Sequence, residues 1–189
     1  AQKLFASGAC KPQDIDFILF CTQSPEFLLP TTACLIQDQL GIPCTAGALD
    51  FNLGCTGFIY GLSLAKGLIE TSQATNVLLL TGETYSKFIH PEDRSVRTLF
   101  GDGAAATLVQ GKETSKSTPN EGIGPFIFGT DGGGGQNLKA ECGGVRSIKF
   151  SKSDLPSEEP SKENHLYMNG PEIFNFTLKV VPQCVHELL

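Results

Sequence analysis

The apolar positions of this chain follow two rhythms. In "DFILFCT" (residues 16 to 22) and "NVLLLTG" (76 to 82) nearly every position is apolar over a short span, the pattern of a strand covered on both faces. "AGALDF" (46 to 51) and "AAATLVQG" (104 to 111) read as further strands, and "GPFIFGT" (124 to 130) repeats the signal more faintly. Between them the apolar residues return at helical spacing. "PTTACLIQDQLG" predicts a helix that Thr31 or Thr32 caps, that turns Ala33, Leu35, Ile36 and Leu40 to one side, and that Gly41 ends.

A longer helix is predicted after Cys55. Phe58, Leu62, Ala65, Leu68 and Ile69 mark one face, and Ile59, Tyr60 and Leu64 make the remainder apolar too, with Lys66 and Glu70 its only charges. A helix apolar on nearly all sides is expected in the centre of a domain. Two more helical patterns lie at the ends, in "AQKLFASGAC" and in "NGPEIFNFTLKVVPQCVHELL", where Pro171 suits a first helical position and Pro182 predicts a kink or break. Helices alternating with buried strands indicate an α/β layered fold. Two polar stretches interrupt it, "KETSKSTPNEG" (112 to 122) and the Ser-, Pro- and charge-rich "SKSDLPSEEPSKEN" (151 to 164), the second expected to be mobile.

Composition narrows the function. The 189 residues carry a net charge of -6 with no basic cluster, which argues against a nucleic-acid or anionic-membrane partner. No apolar run is long enough to span a membrane. Small molecules and other proteins are the expected partners. Seven cysteines, an odd number without a CxxC pair, give neither a disulfide framework nor a zinc site, and several sit inside apolar runs as small core residues. A cytoplasmic location is expected. The chain opens on Ala1 inside one helical pattern and closes inside another, and so reads as a piece of a longer protein.

The candidate chemistry centres on Cys55, in "LDFNLGCTGFIYGL", where a predicted strand hands over to a helix. Unpaired N–H groups and the positive end of the dipole at a helix start favour the nucleophilic thiolate. Gly54 and Gly57 suit a sharp turn and close approach, and the same amides could hold a developing oxyanion. A buried structural thiol remains the alternative, because free Cys is among the most buried residue types. On the residues alone both readings stand. "FGDGAAATLV" lacks the Lys-Ser/Thr and the glycine spacing of a phosphate loop. "DGGGG" (131 to 135) has no helix pattern after it and reads as a turn-rich loop.

Taken together, "GCTGFIYGL", "HPEDRSVRTLFGDGAAATLV" and "HLYMNGPEIFNF" resemble the beta-ketoacyl-acyl-carrier-protein synthase III family of the thiolase-like superfamily, in the same order and over nearly the whole chain. The resemblance implies a fold of two similar halves, each a five-stranded mixed sheet between helices, of which residues 1 to 189 would be the incomplete first. It implies that Cys55 takes an acyl group from acyl-coenzyme A, and that malonyl-acyl carrier protein then loses carbon dioxide and condenses with it, the first step of fatty acid synthesis. Acyl-coenzyme A enters as substrate, with no tightly bound cofactor and no metal.

Arg94 matches an arginine that holds the adenine end of coenzyme A, a role suited to a guanidinium that stacks on bases and pairs with phosphate. A surface ion pair with Glu92 or Asp93 is its alternative. Leu29 matches a residue that reaches across a homodimer to close the partner's acyl pocket, core packing being its alternative. The catalytic His and Asn of the family come later than the matched half. His90, His165 and His186 stand in other contexts and read as solvated or satisfied side chains. The chain alone is therefore expected to be inactive. Three other readings share these residues: a condensing enzyme of a secondary-metabolite or surface-glycan pathway, a non-catalytic module that keeps the fold, and a cysteine hydrolase.

Overall fold

The computed structural model describes residues 1–113, 122–140, 144 and 165–189. Contacts divide the chain into two units, Ala1–Glu83 with Asp102–Gly124, and Thr84–Gly101 with Pro125–Leu189.

The first unit is a sheet between helices. Its elements run α1 (Gln2–Ala6), β1 (Phe17–Cys21), α2 (Thr32–Gln39), β2 (Gly47–Phe51), α3 (Gly57–Glu70), β3 (Asn76–Thr84) and, after an excursion through the other unit, β4 (Asp102–Gln110). The sheet order is β2-β1-β3-β4. β1 pairs in parallel with both β2 and β3, Phe17 opposite Gly47 on one side and Val77 on the other. Four strands are one fewer, among the described residues, than the resemblance implies.

The near-continuous apolar runs of β1 and β3 are explained by their place inside the sheet, since each strand feeds two cores. Ile18, Leu78 and Leu80 face one side, packed with Ala33, Ile42 and the half-buried Leu4, Phe5, Ile36 and Leu40 of α1, α2 and the turn that follows. Leu19, Val77 and Leu79 face the other, with Ala65, Val109 and the half-buried Leu62, Leu68 and Ile69. Successive side chains alternate faces, so an unbroken apolar strand requires cover on both.

Two carboxylates tie strands to their neighbours. Asp50 on β2 accepts the N–H groups of Thr32 and Ala33 at 2.6 and 2.7 Å, so the start of α2 is capped from the sheet instead of by Thr31 or Thr32. Asp16 accepts the N–H groups of Thr75 and Asn76, both at 2.8 Å, fixing the entry of β3 beside β1. Gly41, at φ +65°, ends α2 as its sequence predicts.

The expectation for α3 needs correction. Only Gly57, Gly61 and Ala65 are buried, a stripe of small residues one turn apart, while Phe58, Ile59 and Leu64 are 41, 47 and 44% exposed. A Cβ on Gly61 would sit 2.4 Å from Leu79 Cδ1, so the missing side chains are what let this helix lie close to β3. Of the face marked by the sequence, Leu62, Ala65, Leu68 and Ile69 pack against the sheet, while Phe58 joins Ile59 and Leu64 on the exposed side.

The second unit contains α4 (Arg94–Arg97), β5 (Leu138–Ala140), β6 (Leu166–Met168) and α5 (Gly170–Leu188). β5 and β6 pair antiparallel. Ile89, Val96 and Leu166 form its core with Tyr85, Phe88, Phe100 and Met168, and Tyr85 stacks on Phe100 with ring centroids 5.3 Å apart. α5 runs helical through Pro182 without the predicted break, and Asn169 caps it by accepting the Glu172 N–H at 3.4 Å. No strand forms over 124 to 130, and "DGGGG" opens a 3-10 turn, Gly132–Gln136, whose Gly133 N–H is held by Asp131 at 2.9 Å. The segment 151 to 164 and most of 112 to 122 lie outside the described residues.

Candidate functional site

β1, β2 and β3 end together on one side of the sheet, and the segment from β2 to α3 crosses that edge. After Phe51 the chain passes Asn52 and Leu53 and turns at residues 54 to 57, where the Gly57 N–H donates to the Gly54 carbonyl at 2.8 Å. Cys55 and Thr56 occupy the middle of the turn, and Cys55 is exposed. Thr56, the residue before α3, contributes no side-chain cap, so the helix start keeps donors that a cap would otherwise take. An exposed thiol two residues ahead of such a helix start can act as a nucleophile.

Sterics require the glycine at 57 more strictly than the one at 54, whose nearest neighbour is the movable end of a side chain. Neither has a positive φ. A Cβ on Gly57 would lie 2.2 Å from Cys21 Sγ, and one on Gly54 would lie 2.8 Å from Gln23 Oε1. The Gly57 N–H is committed to the turn, so its amide supports the turn and is not offered to an oxyanion.

A second thiol lies beneath the same turn. Cys21 is buried at the end of β1 and donates its S–H to the Leu53 carbonyl at 3.0 Å. Burial pushes its pKa up, and the negative charge of Glu83 adds in the same direction. It stays a protonated, structural thiol.

Around these groups the strand ends supply a polar set that sequence reasoning missed. Glu83 on β3 accepts the Gln23 backbone N–H at 2.7 Å through Oε1 and the Ser24 hydroxyl at 2.8 Å through Oε2. Gln23 in turn donates from Nε2 to Asn52 Oδ1 at 3.1 Å. One signal could have found them: polar residues directly after buried apolar strands, at the carboxyl ends of a parallel sheet where ligands of α/β proteins bind.

Leu29 lies on the loop before α2, 78% exposed beside Phe27 and Leu28, which excludes core packing within this chain. Arg94 belongs to the second unit, at the exposed start of α4. Asp93 caps that helix and accepts from both the N–H and the hydroxyl of Ser95, which holds its carboxyl below the usual carboxylate range. Among the described residues Arg94 forms no ion pair with Glu92 or Asp93. It lines a cleft of about 410 Å³ with His90, His165, Leu166 and Tyr167, where the two imidazoles meet edge to face at 5.0 Å. His90 Nδ1 accepts the Glu92 N–H at 3.2 Å. The structure thus joins Cys55, Gly54 and Gly57 in one turn and places Arg94 in the other unit. Among the described residues no group of three His, Cys, Asp or Glu could hold a metal, and no helix is long and apolar enough to cross a membrane.

Residues 49–132, which include this turn and Arg94, match the family model of 3-oxoacyl-[acyl-carrier-protein (ACP)] synthase III. The beta-ketoacyl-[acyl-carrier-protein] synthase III of Caldanaerobacter subterraneus subsp. tengcongensis is 38% identical over 182 residues, covering 95% of this chain and 51% of that protein. A crystal structure of a 3-oxoacyl-(acyl-carrier-protein) synthase III, 53% identical, matches with a TM-score of 0.88 over 100% of this chain and 56% of its own. The 3-oxoacyl-(acyl-carrier protein) synthase of Burkholderia xenovorans LB400, 38% identical, gives 0.80 over 98% and 51%. The chain spans about half the length of these relatives. In motifs, in sequence and in fold, it belongs to the beta-ketoacyl-acyl-carrier-protein synthase III family.

Proposed function

We propose that Cys55 is the acyl-accepting nucleophile of a beta-ketoacyl-acyl-carrier-protein synthase that starts fatty acid synthesis in the cytoplasm. The Cys55 thiolate attacks the carbonyl carbon of an acyl-coenzyme A. A new carbon–sulfur bond forms, the old one breaks, and coenzyme A leaves as its thiol after taking a proton. Malonyl-acyl carrier protein then loses carbon dioxide, and its carbanion attacks the Cys55 thioester, giving the beta-ketoacyl carrier protein and regenerating the thiolate. Arg94 serves the adenine end of coenzyme A, and Leu29 meets a second copy in a homodimer, consistent with its exposure. Gly54 and Gly57 shape the turn.

The observation that carries this reading is the position of Cys55. It is an exposed thiol on a closed turn at the start of α3, inside the span that matches the family model. Residues 1 to 189 alone are proposed to be inactive in condensation, because the resemblance places the His and Asn of decarboxylation beyond the matched half. Incubating the complete protein with acetyl-coenzyme A and mapping adducts by mass spectrometry tests it. An acetyl thioester on Cys55, lost in Cys55→Ala, is expected; no adduct, or one that survives that substitution, refutes it. Release of carbon dioxide and a beta-ketoacyl product with malonyl-acyl carrier protein separates this reaction from other condensations.

A further inference from the structure

The turn that presents Cys55 is held from below by a chain of hydrogen bonds that begins on a different strand. Glu83, near the end of β3, grips the backbone N–H of Gln23 and the hydroxyl of Ser24, at 2.7 and 2.8 Å. That grip fixes the point where the chain leaves β1. The Gln23 side chain then reaches across to β2, where Nε2 donates to Asn52 Oδ1 at 3.1 Å. Its Oε1 occupies the space that a side chain on Gly54 would need, 2.8 Å from the position of a Cβ there. Gly54 is the first residue of the turn, and its carbonyl accepts the Gly57 N–H that closes it. Three strand ends, β1, β2 and β3, are thus linked by side chains to the backbone that sets the height and direction of Cys55.

We propose that Gln23 and Glu83 are positioning residues for the Cys55 nucleophile, acting through Gly54 and Asn52. The proposal rests on the reading of Cys55 as acyl acceptor. Its physical basis is that a nucleophile displaced by about 1 Å can lose up to about a hundredfold in rate. This turn has no side-chain cap of its own to prevent such a displacement. Glu83 is suited to the task because its two oxygens take two donors at once. Gln23 is suited because its amide can donate to Asn52 while its oxygen fills the hollow under a glycine.

A structural role, an electrostatic role and a positioning role give different results. If charge were all that mattered, removing the Glu83 charge would raise the reactivity of Cys55 in Glu83→Ala and Glu83→Gln alike. Positioning predicts the reverse for Glu83→Ala, and recovery of most of the rate in Glu83→Gln, whose amide oxygen still accepts the Gln23 N–H. The complete protein is treated with iodoacetamide from pH 6 to 9, with mass spectrometry reading each cysteine and exposed Cys34 and Cys44 as references. Acetyl transfer from acetyl-coenzyme A is measured in parallel.

Gln23→Leu and Glu83→Ala are expected to slow acetylation of Cys55 about tenfold at saturating acetyl-coenzyme A with half-saturation unchanged. They should also slow the alkylation of Cys55 across the same pH range while Cys34 and Cys44 are unaffected. Asn52→Ala, at an exposed position that folding tolerates, is expected to cost about three- to fivefold by removing the last link. If all three variants stay within twofold of the parent in both readouts, or if Glu83→Gln behaves like Glu83→Ala, the proposal is wrong. Wild-type protein that is alkylated at Cys55 but never acetylated overturns the acyl-acceptor reading instead, and the alkylation arm still decides the positioning of the turn.

Discussion

Cys21 and Cys55 lie at the same helix start in opposite surroundings. Cys21 is 3% exposed, donates its S–H to the Leu53 carbonyl and has a pKa raised by burial. Cys55, on the outer side of the turn, is exposed. Both are close to Gly57: the Cys21 sulfur lies where a side chain on Gly57 would begin, and Cys55 lies in the turn that the Gly57 N–H closes. A cysteine near a helix start is therefore not reactive by position alone. Burial of the sulfur decides it.

The contrast is broken most severely by reagents that distinguish the two sulfurs. In the native protein iodoacetamide should modify Cys55 faster than Cys21 by about a hundredfold or more, because Cys21 must wait for local opening, and denaturation should erase the difference. Equal native rates, read by peptide mass spectrometry, would remove the basis of the comparison.

A smaller effect is expected from filling the gap between them. Gly57→Ala puts a methyl 2.2 Å from Cys21 Sγ and should destabilise the fold by about 1–3 kcal/mol in urea denaturation. Adding Cys21→Ala should return part of that loss, since the two substitutions share one space and cannot be additive. Additive losses would show that the two residues do not meet.

The smallest effect is one of pH. Because the folded state raises the Cys21 pKa, the stabilisation from keeping this thiol protonated is complete below the unfolded pKa of about 8.5 and is lost as pH rises through the folded value. The urea midpoint of the wild type should fall more steeply above that pH than the midpoint of Cys21→Ala. Parallel curves would place Cys21 in a more solvated setting than its burial indicates.

Much of this was legible in the sequence. The runs at 16 to 22 and 76 to 82 announced strands buried on both faces, and Gly41 announced the end of α2, because each depends on local pattern alone. The motif around Cys55 marked the turn. What misled was size. Phe58 and Leu64 looked like core because they are large, whereas the buried stripe of α3 is Gly57, Gly61 and Ala65. Periodicity weights bulk, and close packing of a helix on a sheet selects against it. Gln23 and Glu83 were invisible for another reason: their partners are 29 and 60 residues away, on strands whose register only the fold brings together. The strand expected over 124 to 130 is not formed, and among the described residues that short apolar run has no partner strand to hold it extended.

The stripe of small residues also sets the spelling of the loop before it. α3 lies closest to the sheet along positions 57, 61 and 65, and a helix rotates by about 100° for each residue added ahead of it. One residue inserted or deleted between Phe51 and Gly57 would offer Phe58 or Thr56 to the slot beneath which Cys21 lies. The linker at 52 to 56 is thus fixed in length to the single residue, although most of it is exposed and would pass for an ordinary surface loop tolerant of indels.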